Sequence, residues 1–188
     1  MTLILRIGGH MDLDKMYPAM EIEFDSEELF SRIAMHKAMM NGTAELLMFC
    51  DGESGMTVGY AYVITKNLYG YVLLKYFSVL PWYRGHGVGV EAMREINKKY
   101  ADRQGIITEI TDFPDDNANR QTQLRKFFSR FGFVDVPANM TISGTDAHVL
   151  VKPMKGTWEI GRIAPRIMTD FYSRVLTGFE MKRYLAFK

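Results

Sequence analysis

Three glycines stand at alternate positions in the stretch Arg84-Gly85-His86-Gly87-Val88-Gly89. Glycine gives up the most conformational freedom on folding, so three in five residues ask for backbone bare of side chains. The stretch before them, Tyr69–Leu80, is rich in β-branched and aromatic residues and reads as a strand that Pro81 stops. The stretch after them carries apolar residues at Val90, Met93, Ile96 and Tyr100, which predicts a helix from about Val88 to Asp102. A helix leaves its first N–H groups unpaired, and its macrodipole adds roughly half a positive charge at that end. Such an end binds phosphate. Arg84 adds a cation beside it. The loop is chemically suited to a pyrophosphate, whereas a merely tight turn into a helix normally needs one glycine.

Two common pyrophosphate motifs fit poorly. No G-x-x-x-x-G-K-[ST] string occurs. The dinucleotide fingerprint, G-x-G-x-x-G directly after a strand, is one residue too long for this spacing, and Pro81–Arg84 intervenes. Glu109 does follow about 20 positions later, as that fingerprint asks. A dinucleotide-dependent oxidoreductase is therefore a remote alternative, opposed by the spacing and by the meander of strands that comes first.

The elements that must position the loop form one mixed pattern. "TLILRI" reads as a first strand. Asp25 with Glu28 three residues on has capping-box spacing and predicts a helix start there. "AELLMFCD", "GESG" and "MTVGYAYVIT" read as strand, turn and strand. After the glycine loop and its helix come the strand "GIITEIT", the polar loop "DFPDDNANR", the helix "QTQLRKFFSRFGF" and the strand "HVLVK". In the tail, Pro165 fits a helix first turn and Gly178 its C-terminal cap. Met168, Phe171, Tyr172 and Val175 make an apolar stripe, read as internal packing, a dimer contact or a lid.

Composition bounds the class. An apolar content of 47% allows a sizeable core, and a formal net charge of +1 argues against broad binding to nucleic acid or anionic membrane. Cys50 is the one cysteine, which excludes an internal disulfide and any multi-cysteine metal site, and its apolar run suggests a buried, inert thiol. No segment approaches the ~20 apolar residues of a membrane helix. "MTLILRIGGH" shows no small-residue cleavage site. The expectation is a cytoplasmic protein without a metal.

The string "FSVLPWYRGHGVGVEAMREI" resembles the acetyl-CoA-binding motif of the GNAT acetyltransferase superfamily, whose signature is Gln/Arg-x-x-Gly-x-Gly/Ala after a strand with an apolar-x-Val-x-Pro ending. "FFSRFGF" is similar to the family's second landmark, a helix ending in aromatic-x-x-x-Gly-Phe. The resemblance implies a mixed α+β fold: a central, mostly antiparallel sheet with helices on both faces. It covers residues 1–152, with 153–188 a helical C-terminal extension, part of the same domain or a dimer contact.

The family likeness also implies a chemistry. Acetyl-CoA would be the co-substrate, its pantetheine arm bonded by backbone near Phe77, Ser78 and Val79. The loop Arg84, Gly85, His86, Gly87, Val88 and Gly89 would hold the diphosphate, with the His86 ring at a variable position. Glu109 would take the proton of an attacking amine. Two departures stand out. Many members carry a proton-donating Tyr where this chain has Phe128. Gln121 replaces a frequent cofactor-contacting Asn, for which Asn117 and Asn119 in the preceding loop are the candidate substitutes. A non-catalytic acyl-CoA-binding module is thus the alternative to an N-acetyltransferase. The acceptor is a small-molecule or protein amine that the sequence does not identify. "EIEFDSEE", with Glu21, Glu23, Asp25, Glu27 and Glu28, is either a solvated acidic face or a lure for a cationic amine. A homodimer is compatible with the tail.

Overall fold

A computed structural model describes residues 2–111, 118–155 and 160–188. Two compact units make up the chain: 1–65 with 74–101, and 66–73 with 102–188. The strands follow the order Leu3–Gly8, Ala44–Asp51, Thr57–Ile64, Tyr71–Val79, Gly105–Thr111, Thr145–Pro153, Val134–Ile142 and Leu185–Phe187.

In the first unit, β1 (Leu3–Gly8) pairs antiparallel with β2 (Ala44–Asp51), and β2 with β3 (Thr57–Ile64). The β2–β3 turn closes on Asp51, whose carboxylate accepts from Ser54 Oγ at 2.9 Å, and Gly55 takes the left-handed conformation at φ +68°. Leu46 to Phe49 are buried, and Cys50 is a buried free thiol as expected. Helix α1 (His10–Glu23) starts where Asp12 accepts from the Gly9 amide at 2.9 Å and pairs with Arg6.

No helix starts at Asp25. Its carboxylate instead accepts from the Glu27 amide at 2.8 Å in a turn, and α2 (Arg32–Met40) begins later, capped by Ser31. The reason is tertiary. The Tyr76 hydroxyl accepts from the Phe30 amide at 2.8 Å and donates to the Glu28 carbonyl at 2.9 Å, which holds the segment in place of a helical turn. Strand β4 (Tyr71–Val79) ends this unit's strands, and α3 (Val88–Lys99) buries Val88, Ala92, Met93 and Ile96, close to the expected stripe.

In the second unit, Tyr71–Leu73 of β4 run parallel to Gly105–Ile107 of β5 (Gly105–Thr111). Strand β5 is buried along its length and pairs antiparallel with β7 (Thr145–Pro153). Strand β7 pairs with β6 (Val134–Ile142), which carries an irregularity between Val136 and Met140 with Asn139 at φ +43°. Helix α4 (Ala118–Ser129) ends before Gly132, at φ +82°.

The tail forms α5 (Ile160–Ser173), α6 (Gly178–Tyr184) and β8 (Leu185–Phe187). Helix α5 buries Ile167, Met168, Phe171 and Tyr172 and packs on β6, so the apolar stripe faces its own unit. Pro165 lies inside α5 and not in its first turn. Gly178 opens α6 and closes nothing. Thr177 and Glu180 cap each other across that start, Thr177 N to Glu180 Oε2 at 2.7 Å. Strand β8 pairs antiparallel with β6. The mixed α+β class, the mostly antiparallel sheet and the C-terminal helices agree with the sequence, and depart from the parallel wound sheet of a dinucleotide fold. No described helix is long and apolar enough to cross a membrane.

Gly59 on β3 shows how closely β3 and β4 approach. A β-carbon there would lie 2.8 Å from the Ser78 carbonyl oxygen. Gly59→Ala is expected to cost about 1–3 kcal/mol in denaturant unfolding, because backbone and not a flexible side chain must move.

Candidate active site

Strand β4 ends at Val79, and a short 3₁₀ turn, Pro81–Tyr83, leads to Arg84. Gly85 and Gly87 then take φ +80° and +79°. A β-carbon at either would meet nothing within 4 Å, so the requirement for glycine is conformational and not steric crowding from neighbours. Gly87 is the N-cap of α3. Its carbonyl accepts from the Val90 and Glu91 amides at 3.0 and 3.2 Å. Among the described residues, the amides of Gly85, His86, Gly87, Val88 and Gly89 donate to no protein acceptor. Five such donors in sequence, at the positive end of a 12-residue helix, are an arrangement chemically suited to an anion. The Val88 side chain is buried and anchors the helix, so Val88 offers only its backbone, while His86 is exposed.

The Arg84 side chain is engaged by groups of the protein itself. Its Nε donates to the Val79 carbonyl at 2.8 Å and its Nη2 to Glu23 Oε2 at 2.5 Å. Ser78 is buried, and its hydroxyl reaches toward the Val79 carbonyl at 3.4 Å. Phe77 is half-buried, edge-on to Phe49 at 6.1 Å. The β4–β5 ladder registers Tyr71, Val72 and Leu73, and Phe77–Val79 lie beyond it.

Glu109, Asn119 and Phe128 belong to the second unit, whereas Phe77–Val79 and Arg84–Gly89 belong to the first. Glu109 is buried on β5, and its Oε1 accepts from the Tyr172 hydroxyl. Sequence reasoning placed Tyr172 in an apolar stripe and missed this bond. The available signal was a hydroxyl-bearing residue within an otherwise apolar face. Phe128 is buried against Phe133, ring centroids 5.1 Å apart, and edge-on to Phe127 at 5.4 Å. It is a packing residue with no proton to give. Asn119 falls in the first turn of α4, with its side chain outside the described residues, and Asn117 lies outside them altogether. Among the described residues, no group of three or more His, Cys, Asp or Glu is arranged to hold a metal ion.

Residues 44–135 match the profile of the acetyltransferase (GNAT) domain. That stretch of the chain carries a GNAT acetyltransferase domain. No curated protein sequence matches it. Among solved structures, a protein assigned to the GNAT family from Bacteroides thetaiotaomicron superposes with a TM-score of 0.69 at 13% identity, over 90% of this chain and 96% of that one. Arabidopsis thaliana NAA60 in complex with acetyl-CoA gives 0.62 at 14%, over 82% and 100%. The spermidine/spermine N-acetyltransferase SpeG of Vibrio cholerae gives 0.62 at 11%, over 81% and 95%. Identities this low carry the fold.

The left-handed geometry of the loop is testable by itself. Gly87→Ala is expected to lose about 1–2 kcal/mol of stability in urea titration, since an L-residue is strained at that φ.

Proposed function

We propose that the protein transfers the acetyl group of acetyl-CoA to a primary amine of a small molecule or protein. The observation that carries this is the run of five unpartnered amides, Gly85 to Gly89, at the start of α3. Those amides suit the CoA diphosphate. The backbone of Phe77, Ser78 and Val79 would bond the pantetheine arm, and one of its N–H groups would face the thioester oxygen.

The neutral amine attacks the thioester carbon. The C–N bond forms, the C–S bond breaks, and the thiolate leaves with its electron pair. The proton lost by the amine passes to Glu109 or to a water that Glu109 orients. The thiolate needs no strong acid to leave, so Phe128 is compatible with turnover. Phe128 is also the observation that favours the second reading, a CoA-binding module without catalysis. NAA60 binds acetyl-CoA and SpeG is a spermidine/spermine N-acetyltransferase, and both support an amine acceptor here by analogy of fold.

A thermal-shift titration with acetyl-CoA, CoA and NAD tests the cofactor. At 100 times its dissociation constant, acetyl-CoA is expected to add about 2.7 kcal/mol, a rise of several degrees at this size, with none from NAD. A rise with NAD alone overturns the assignment. Glu109→Gln is then expected to cut kcat at least about 100-fold with the CoA shift retained, the scale of a lost general base. Binding without any turnover across a panel of amines would establish the second reading.

A further inference from the structure

Three tyrosines, Tyr60 and Tyr62 on β3 and Tyr76 on β4, are fully buried in the first unit. Two of their hydroxyls fix neighbouring backbone. Tyr62 donates to the Met35 carbonyl of α2 at 3.0 Å, and Tyr76 holds Glu28 and Phe30. The third, Tyr60, is buried and its hydroxyl has no hydrogen-bond partner among the described residues. A buried phenol left unpaired costs free energy, so its retention points to a ligand.

The surroundings of Tyr60 say which ligand. Burial pushes its hydroxyl well above the ordinary tyrosine range, the Glu23 carboxylate pushes it further, and Ser78 and Arg84 act the other way. The Ser78 hydroxyl stands near it without meeting hydrogen-bond geometry. Glu23 closes α1, and the next residue, Phe24, packs on the Tyr76 ring at 4.8 Å, so the carboxylate is held in place. A cation already occupies it: Arg84 Nη2, at 2.5 Å. Arg84 is also the first residue of the anion loop. The pair is partly open to solvent, with Arg84 47% and Glu23 25% exposed. Ion pairs of that exposure contribute little stability and exchange readily.

We propose that Glu23, Tyr60 and Ser78 form a subsite for a primary ammonium of the acceptor, which Arg84 fills until an anionic cofactor draws Arg84 away. The subsite rests on the acetyl-CoA site proposed above. Its oxygens are a carboxylate, a phenol and a hydroxyl, the acceptors a three-donor ammonium uses. Arg84 serves as an internal guanidinium in the place of that cation. Diphosphate competes with Glu23 for Arg84, so CoA and the amine favour each other's binding, and linkage makes the effect equal in both directions.

The test is calorimetric titration of the full chain with diaminobutane and, in a second arm, with an unblocked alanine tripeptide, each with and without saturating CoA. At least one amine is expected to bind about five-fold tighter or more in the presence of CoA. The arm that shows it tells polyamine from peptide N-terminus. Glu23→Gln is expected to move the two ligands oppositely: several-fold weaker amine binding and several-fold tighter CoA, because Arg84 is released. A misfolded variant would weaken both. Tyr60→Phe, which keeps the ring packing, is expected to weaken the amine several-fold. CoA binding with no coupling in either arm, or a Glu23→Gln variant that folds as the wild type does and loses neither amine affinity nor the coupling, overturns the subsite. Failure of CoA itself to bind overturns the cofactor proposal first and the subsite with it.

Discussion

The first turn of a helix has N–H groups that the helix cannot satisfy, and at the start of α3 no other described residue satisfies them. A protein usually covers such donors with a side-chain cap. Here the N-cap is Gly87, which has no side chain to offer, and Gly85 ahead of it keeps the chain turning in the left-handed region. The result is a run of amides without a protein acceptor among the described residues. Val88, buried beneath, keeps α3 fixed while the amides stay open.

A set of buried phenols lies in the same unit. The tyrosines of β3 and β4 act as struts: Tyr62 ties down α2, and Tyr76 ties down the segment after α1. That segment would otherwise be free to follow its own capping preference at Asp25. Because Tyr76 holds it, Glu23 is delivered to a set position, where it meets Arg84 at the mouth of the glycine loop. The glycine loop and the carboxylate are thereby joined by one arginine.

In the second unit the polar chemistry is buried. Glu109 sits on a strand whose every residue is buried, and its carboxyl is steadied by a phenol from α5. Without Tyr172 this carboxyl would lose a hydrogen-bond donor in a water-poor setting. The tail is therefore part of the unit's interior chemistry as well as its packing.

Much was legible in the sequence because it was local. Glycine spacing, the proline stop, the apolar periodicity of α3 and the alternation of strands depend on neighbours in the chain. These determined the strand–loop–helix order around the glycines, the mixed α+β class and the family likeness. What failed was also instructive. The capping box at Asp25 was outcompeted by Tyr76, 51 positions away in sequence if counted from residue 25 to 76. Gly178 looked like a helix end but opens α6, because Thr177 and Glu180 cap each other across it. The engagement of Arg84 by Glu23, the bond from Tyr172 to Glu109 and the orphaned hydroxyl of Tyr60 join residues 61 and 63 positions apart or lie on strand faces. Periodicity tells which side chains turn inward. Only the tertiary structure decides which of those inward groups find a partner, since pairing depends on distance in space and not along the chain.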